Sequence, residues 1–263
     1  MFKLALGVFL TCFTTFVNAE VVGEEVSYRD GDTLMKGYLA FDDAQSGKRP
    51  GILVVHEWWG HNDYARSRAR QLAEMGYTAL AVDMYGDGRQ AGHPKDAGRF
   101  AGEVKSNMAQ AQSRFESAMA LLQAHDTVAA DEISAIGYCF GGGIVLEMAR
   151  RGVDLDLVGS FHGSLAPSEP ASQDAVKAEL LVFNGAADPF VKPEQISAFK
   201  QEMDRAGVTY HFYEYPGAKH AFSNPGADEL GEKFGLPLAY QKAADEQSWA
   251  IFSEALQRVY EKP

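Results

Sequence analysis

The sequence predicts an α/β domain in which a mainly parallel sheet carries helices on both faces. Short apolar runs bounded by turn residues alternate along the chain with segments of helical periodicity, as a parallel sheet covered on both sides requires. The length of 263 residues, 46% of them hydrophobic, is sufficient for one sizeable core. No Pro- or Ser-rich linker, low-complexity run or repeat interrupts the sequence. We therefore expect residues 20–263 to form a single domain.

Residues 1–19 differ in character from the rest of the chain. One positive charge is followed by an apolar stretch that ends in Val-Asn-Ala19, and small or apolar residues at these positions suit a signal peptidase. We predict a cleaved export signal and a periplasmic or secreted protein that begins at Glu20. One alternative is an uncleaved membrane anchor, although the apolar stretch is shorter than the ~20 residues that a spanning helix needs. Lipidation at Cys12 is a second alternative, for which Thr11 is a poor preceding residue.

Charge and cysteine content narrow the function classes. Lys and Arg total 24 against 36 Asp and Glu, which gives a formal charge of −12 and should repel nucleic acid and anionic membrane surfaces. We therefore expect no nucleic-acid partner and no stable membrane association. Cleavage of the leader would leave Cys139 as the one cysteine, so no internal disulfide can form. A free thiol in an oxidising compartment is a liability unless it is buried in the core or has a function. The residues next to Cys139 in the sequence distinguish these two cases.

The first half of the chain opens with two strand-like segments joined by a short Asp-Gly turn, which predicts an antiparallel N-terminal hairpin. Buried strands and helices then alternate. The strands of this half are expected at Val21–Tyr28, Thr33–Ala40, Ile52–His56 and Thr78–Asp83. The helices are expected at Ala65–Glu74 and over Asp96–Gln123, the latter broken at Gly98 and Gly102.

The second half repeats the strand–helix alternation, which favours parallel pairing. Its strands are expected at Ile133–Gly137, Leu157–Phe161, Glu179–Asn184 and Tyr210–Tyr215. Its helices are expected from the Gly-rich turn after the first of these strands to near Gly152, at Pro193–Ala206 and at Tyr240–Tyr260.

A buried strand runs directly into a helix through Gly137-Tyr138-Cys139-Phe140-Gly141. This spacing is typical of a nucleophile elbow, here with cysteine in place of the more usual serine. Side chains at the two glycines would clash with the packed strand and helix. The helix N-terminus favours a thiolate, and the Phe140 amide would point to where an oxyanion forms. The alternative, a Gly-rich phosphate loop, lacks both the Lys-Ser/Thr ending and the G-x-G-x-x-G spacing.

Two further residues complete a candidate catalytic triad. Asp188 lies in a loop after one strand, and His220 follows the next strand. The chain order nucleophile, acid, base is that of α/β hydrolases, and loops after parallel strands meet at one edge of the sheet. His220 would take and return the proton, while Asp188 would fix its tautomer.

These residues resemble the dienelactone hydrolase family over nearly all of the chain after the leader. The resemblance implies an α/β-hydrolase fold and ester or lactone hydrolysis through a cysteine thioester. It rests on His56-Glu57-Trp58-Trp59-Gly60, Asp83-Met84-Tyr85-Gly86, the cysteine elbow, Asp188 and His220-Ala221-Phe222.

The resemblance implies roles for two more positions. Glu57 matches a glutamate that interacts with the nucleophile thiol and takes part in its activation. Trp58 matches the residue whose backbone amide joins that of Phe140 in the oxyanion hole. A carboxylate near the sulfur disfavours the thiolate by like-charge repulsion, and burial raises the pKa of a carboxyl group. The alternative for Glu57 is a salt-bridged loop carboxylate.

The substrate site departs from the family pattern. Dienelactone hydrolases hold their substrate's carboxylate with two arginines, and the corresponding places are near Asp87 and at Asn224 here. We therefore expect a neutral, partly aromatic substrate unless Arg89 or Lys219 substitutes. Pocket-lining residues are expected at Trp59, Tyr85, His162, Phe222 and Asn224, with a buried structural role as the alternative for His162.

Other chemistries fit the sequence less well. No H-x-x-x-H motif or cysteine pair is present, so we expect no metal and no other cofactor. A redox protein that cycles Cys139 would need a resolving cysteine, which the sequence lacks. A binding module on a degenerate hydrolase fold is opposed by the intact Cys–Asp–His set. The sequence leaves the oligomeric state open.

Overall fold

The computed structural model describes residues 21–260, and the predicted signal peptide lies outside them. The strands are β1 Val21–Asp30, β2 Thr33–Asp42, β3 Arg49–Val55, β4 Thr78–Val82, β5 Val128–Tyr138, β6 Leu157–Phe161, β7 Glu179–Gly185 and β8 Tyr210–Tyr215. The helices are α1 Asp63–Glu74, α2 Pro94–Lys105, α3 Met108–Gln123, α4 Phe140–Arg150, α5 Pro193–Ala206, α6 Ala227–Phe234 and α7 Lys242–Tyr260.

All eight strands of this part of the chain form one sheet in the order β1-β2-β4-β3-β5-β6-β7-β8. The N-terminal hairpin is antiparallel and joins β4 through antiparallel pairing of β2. Every pair from β4 to β8 is parallel. The predicted fold class, a mainly parallel sheet with an antiparallel N-terminal hairpin, is therefore confirmed.

Two hydrophobic cores lie on the two faces of the sheet. Residues of β3 alternate between them, with Leu53 and Val55 in one core and Ile52 and Val54 in the other. Helices α2 to α5 cover the first face, whereas α1 and α7 cover the second. The central strands are therefore buried on both sides, which explains their nearly continuous apolar sequences.

Two features of the helices differ from the sequence prediction. The helical segment 96–123 is divided at Ser106 and Asn107 rather than at Gly98 or Gly102. The reason is a cap: the Asn107 side chain accepts a hydrogen bond from the backbone N–H of Gln110 at 3.1 Å, which starts a new helix. Helix α6 was not predicted, because its eight residues are too few for a clear periodic pattern.

The parallel strands deliver the candidate site residues to one edge of the sheet. Each of these residues lies in the loop or turn that follows its strand, where ligand sites of open α/β sheets form. In spatial order from β4 to β8 they are Tyr85, Glu57, Cys139, His162, Asp188 and His220. Within the described residues, no helix is long and apolar enough to cross a membrane.

Candidate active site

Cys139 stands at a sharp turn between β5 and α4. Its backbone has φ 53° and ψ −111°, a conformation that residues other than glycine rarely adopt. A Cβ at Gly137 would lie 2.8 Å from the Gly142 nitrogen, and one at Gly141 would lie 2.6 Å from the His56 oxygen. Both positions therefore require glycine. The Cys139 amide donates to the Phe161 carbonyl at 2.9 Å, which ties the strained residue to β6.

The thiol, an imidazole and a carboxylate form one continuous chain. His220 Nε2 lies 3.0 Å from Cys139 Sγ, and His220 Nδ1 lies 2.8 Å from Asp188 Oδ2. Asp188 is buried and its other oxygen accepts the backbone N–H of Phe190 at 2.8 Å. This geometry is that of a nucleophile, a general base and a residue that orients the base.

Charge in the triad favours a protonated His220. Burial alone would lower the pKa of this imidazole, but the negative charge of Cys139 and the hydrogen-bonded Asp188 raise it to about 10. In this arrangement His220 can hold the proton while Cys139 carries the negative charge. A thiolate is the reactive form of cysteine, so this contact suits the pair to nucleophilic attack.

Glu57 is buried behind the triad. Asn224 Nδ2 donates to its Oε2 at 2.6 Å. Burial raises the pKa of Glu57 to about 7, although the Asn224 hydrogen bond and the positive charges of His220 and Arg68 partly oppose this. Glu57 therefore changes its charge close to neutral pH, within electrostatic range of His220.

Two backbone amides beside the thiol have no internal partner. Among the described residues, the N–H groups of Trp58 and Phe140 donate no hydrogen bond. Both residues line the same cavity as Cys139. Buried amides normally find an acceptor, so a pair left free at a nucleophile is suited to a developing oxyanion.

The cavity at Cys139 has a volume of about 350 Å³. Its walls are mainly apolar, and Lys105 is the one cationic side chain outside the triad among the residues that line it. The full lining consists of Trp58, Lys105, Cys139, Phe140, His162, Gly163, Ser164, Phe190, Val191, His220, Leu236 and Leu238. This is the size and character of a small-molecule site.

Four residues predicted to line the pocket lie behind its wall instead. Trp59 is buried, with its ring stacked on Phe234 at 5.7 Å, and Phe222 is fully buried in the core. The Tyr85 hydroxyl donates to the Trp58 carbonyl at 3.0 Å, and the Asn224 amide is turned toward the carboxylate described above. The motifs located the correct loops, but the loop backbone decides which side chains face the cavity.

His162 combines both roles that the sequence left open. It lines the cavity and is also fully buried. Its Nδ1 lies 3.1 Å from the Cys139 backbone nitrogen and shares that N–H with the Phe161 carbonyl, and its Nε2 lies 2.8 Å from Ser223 Oγ. Burial holds the pKa of His162 well below its usual value, so the ring is neutral and can accept the nucleophile's amide.

The cations considered as substitutes for the family arginines do not line the cavity. Arg89 donates to the Tyr85 carbonyl and pairs with Glu103 at 3.2 Å, while Lys219 is exposed. Lys105, at the C-terminal end of α2, does line the cavity, but it lies in no sequence motif that would predict this position.

Several other residues that line the cavity were also not predicted from the sequence. Phe190 directly follows the Asp188-Pro189 pair, so its proximity to the acid was a usable signal. Leu236 and Leu238 follow the unpredicted helix α6 and had no such signal. In the part of the chain that the structure describes, no group of three or more His, Cys, Asp or Glu side chains is placed to hold a metal ion.

Known proteins share this sequence and architecture. A protein of Methylorubrum extorquens named as a carboxymethylenebutenolidase is 29% identical over 223 residues, 81% of this chain and 76% of its own length. A dienelactone hydrolase-like promiscuous phosphotriesterase from metagenomic libraries is 33% identical, with a TM-score of 0.87 over 92% of this chain and 100% of its own. A dienelactone hydrolase from Anabaena variabilis, at 19% identity and a TM-score of 0.65 over 92% of this chain and 99% of its own, shares the fold.

The family profile agrees with these relatives. The profile described as the dienelactone hydrolase family matches residues 35–260, from the second strand of the hairpin to the end of the last helix. The match includes every site residue described above. The chain therefore belongs to the dienelactone hydrolase family and is a hydrolase of the α/β-hydrolase fold.

Proposed function

We propose that the protein hydrolyses a neutral carboxylic ester or lactone through a thioester on Cys139. The observation that carries the proposal is the continuous Asp188–His220–Cys139 chain, with distances of 2.8 and 3.0 Å, at the wall of an apolar cavity. The names of relatives agree with this chemistry, since several are called carboxymethylenebutenolidases.

In the acylation step, the Cys139 thiolate attacks the carbonyl carbon and a C–S bond forms. The carbonyl oxygen becomes an oxyanion that accepts hydrogen bonds from the Trp58 and Phe140 amides. The oxyanion then collapses, the C–O bond to the leaving alcohol breaks, and the His220 imidazolium gives its proton to the departing oxygen. In a lactone the alcohol stays attached to the acyl group.

In the deacylation step, the now neutral His220 takes a proton from water as the water oxygen attacks the thioester. The second tetrahedral intermediate uses the same two amides. Its collapse breaks the C–S bond and restores the thiolate beside the imidazolium, while the carboxylic acid product leaves and ionises in solution. Asp188 holds the imidazole orientation through both steps.

The cavity walls support a neutral, partly aromatic substrate. Apolar surface is offered by Trp58, Phe140, Phe190, Leu236 and Leu238, and no arginine among residues 21–260 lines the cavity. A substrate carboxylate in such a site would lack a close partner, which costs several kcal/mol for a buried charge. Lys105 is exposed, so water screens its charge.

A neutral phosphotriester is a second candidate substrate. The observation that favours it is the 33% identity to a dienelactone hydrolase-like phosphotriesterase that this chain matches over that protein's full length. The Cys139 thiolate would attack phosphorus, an S–P bond would form, and the P–O bond to an aryloxide would break. The apolar cavity and paired amides suit a neutral phosphoryl group as well as a carbonyl.

We also propose that the protein is exported. The sequence of residues 1–19 supports this through its basic start, apolar centre and small residue at Ala19. Mass spectrometry of protein from the periplasm or medium tests the proposal. The expected mass begins at Glu20, and a cytoplasmic protein of full-length mass would contradict it.

Kinetics with matched substrates test the proposed function. Wild type and Cys139→Ala are compared on phenyl acetate, on its carboxylate-bearing analogue and on a neutral aryl dialkyl phosphate. We expect the highest kcat/KM for phenyl acetate and no turnover by the variant. A preference for the anionic ester would contradict the substrate class. No hydrolysis by the wild type would support a binding module or a redox protein instead.

A further inference from the structure

His56 is a buried histidine beside the site that the proposed reaction does not use. It directly follows β3 and is 0% exposed. Its Nδ1 lies 2.6 Å from the carbonyl oxygen of Glu57, and its Nε2 lies 3.3 Å from the backbone nitrogen of Met84. Both ring nitrogens are therefore bound to backbone groups of the two loops that carry the family motifs.

These partners determine the tautomer of His56. The Met84 amide can only donate, so Nε2 must carry a lone pair and Nδ1 must carry the hydrogen. The Nδ1–H consequently donates to the Glu57 carbonyl. Burial lowers the pKa of His56, which agrees with a neutral ring.

The bond to the Glu57 carbonyl orients the next amide. The described residues contain no cis peptide bond, and in a planar trans peptide the C=O and the following N–H point in opposite directions. The Glu57 carbonyl faces the His56 ring and also accepts the Gly60 amide at 3.1 Å. The Trp58 N–H, which has no acceptor among the described residues, must therefore point away from the ring.

Tyr85 holds the peptide group that follows Trp58. Its hydroxyl donates to the Trp58 carbonyl at 3.0 Å, and its ring packs edge-on against His56 with centroids 4.7 Å apart. Tyr85 is 1% exposed, so water does not compete for the hydrogen bond of its hydroxyl. The peptide groups before and after Trp58 are thus each held by a buried side chain.

His56 also contacts the residues around the Phe140 amide, the second amide without a partner. Its backbone carbonyl accepts the Gly141 amide at 3.1 Å, and its ring stacks on Phe140 with centroids 5.7 Å apart and planes 19° apart. The same residue therefore connects the loop of one candidate oxyanion donor to the helix start that carries the other.

We propose that His56 and Tyr85 are positioning residues that aim the Trp58 amide at the oxyanion, a role that rests on the proposed ester hydrolysis. Neither side chain is among those that line the cavity. They act by fixing two peptide planes before the reaction begins, so the donors need no reorganisation when charge develops on the carbonyl oxygen.

Two reactions of the same thiol separate this role from a general structural one. Hydrolysis of phenyl acetate passes through an oxyanion, whereas alkylation by iodoacetamide is a displacement at carbon that forms none. Loss of an oxyanion donor lowers kcat by roughly 10²–10³. For His56→Phe and Tyr85→Phe we expect kcat on phenyl acetate to fall about 10-fold to 10²-fold, because the donor is misaimed rather than removed. KM and the alkylation rate should stay within about twofold of wild type.

Two controls accompany these variants. Tyr215→Phe also removes a buried hydroxyl, but this hydroxyl has no hydrogen-bond partner in the described chain, so kcat should not change. His56→Asn keeps a side-chain N–H near the Nδ1 position and should recover part of the kcat lost in His56→Phe. Tyr85→Phe keeps the ring and supplies the test if the His56 variants do not fold.

Each outcome decides the proposal. Unchanged kcat in Tyr85→Phe and in any folded His56 variant would overturn it. A parallel fall in hydrolysis and alkylation would also overturn it, since that result means damage to the nucleophile elbow. Absence of ester hydrolysis in the wild type would instead refute the proposed function, so the two failures are distinguishable.

Discussion

At the scale of single residues, Asp188 accepts two hydrogen bonds, one on each carboxylate oxygen. One oxygen holds His220 Nδ1 at 2.8 Å and the other holds the Phe190 amide at 2.8 Å. Asp188 thus holds both His220 and a residue of the cavity wall. Its effect on the rate should come from the imidazole, because the wrong tautomer cannot face the thiol.

Asp188→Asn is expected to lower kcat by roughly 10⁴, the loss seen when a triad acid becomes an amide. Steady-state kinetics on phenyl acetate measure the effect, and circular dichroism verifies the fold. A variant with nearly wild-type kcat would show that another carboxylate orients His220.

Glu57→Gln tests the electrostatic role of the buried carboxylate. The change removes a charge but leaves an oxygen that can accept the Asn224 amide, which now donates at 2.6 Å. Because a nearby negative charge disfavours a thiolate, Cys139 should react several-fold faster with iodoacetamide in the variant at about pH 8.

The pH dependence supplies the control for that prediction. Glu57 has its pKa raised to about 7, so it is ionised at pH 8 and mostly protonated at pH 6. The difference between wild type and Glu57→Gln should therefore shrink as the pH falls to about 6. Equal alkylation rates at both pH values would show that Glu57 does not act on the thiol through its charge.

Sequence reasoning could identify the three side chains that the structure brings together at Cys139, but not the cavity wall. Cys139 lies between two glycines that the backbone requires, and Asp188 and His220 follow it in the order typical of the fold. The direction in which a loop side chain points has no comparable sequence pattern. Tyr85 and Asn224 lie in the expected loops but bond to Trp58 and Glu57 instead of facing the cavity. Such choices depend on loop backbone geometry, which periodicity does not encode.

At the scale of elements, the turn between β5 and α4 depends on the close approach of β3. The Gly141 amide donates to the His56 carbonyl at 3.1 Å, so the start of α4 lies directly against the end of β3. The strands themselves were predictable because they are short and buried on both faces. The division of helix 96–123 was not, since it follows from the Asn107 cap rather than from either glycine.

Gly141→Ala should therefore disrupt the elbow. The added Cβ would lie 2.6 Å from the His56 oxygen, and backbone on both sides leaves no flexible side chain to yield. We expect a loss of stability of about 1–3 kcal/mol, as for overpacking elsewhere, together with loss of activity. Urea unfolding measures the first effect. Gly98→Ala, in open space on α2, is the matched control and should be neutral or stabilising. Wild-type stability in Gly141→Ala would contradict the described packing.

At the scale of the whole molecule, three buried histidines should make the fold sensitive to acid. Burial lowers the pKa of His56 and His162, and it lowers that of His61 to about 4 from an ordinary 6.5. Each histidine takes up a proton on unfolding below pH 6.5, so stability falls as the pH drops from 6.5 toward 4. Glu57, whose pKa is raised, contributes in the opposite direction between pH 7 and 4.5. His220, whose pKa is raised to about 10, also contributes in the opposite direction as the pH falls toward 6.5, so three groups are opposed by two.

Urea unfolding at about pH 7.5 and about pH 5 measures this effect. His61 alone should cost about 2 kcal/mol at the lower pH, at 1.4 kcal/mol for each pH unit below 6.5. His61→Gln should reduce the difference between the two pH values, because one titrating group is lost. If His61→Gln leaves the change in stability between the two pH values the same as in wild type, that result would contradict the described burial of the His61 ring.

The most direct test of the proposed chemistry is to trap the acyl-enzyme. The wild-type protein is mixed with excess p-nitrophenyl acetate, quenched in acid during turnover, digested and analysed by mass spectrometry. The proposal predicts one added acetyl group on the peptide that contains Cys139, with more of it in Asp188→Asn if deacylation slows, and none on that peptide in Cys139→Ala. Hydrolysis that continues in Cys139→Ala, or an acetyl group on another residue that turns over at the catalytic rate, would contradict it.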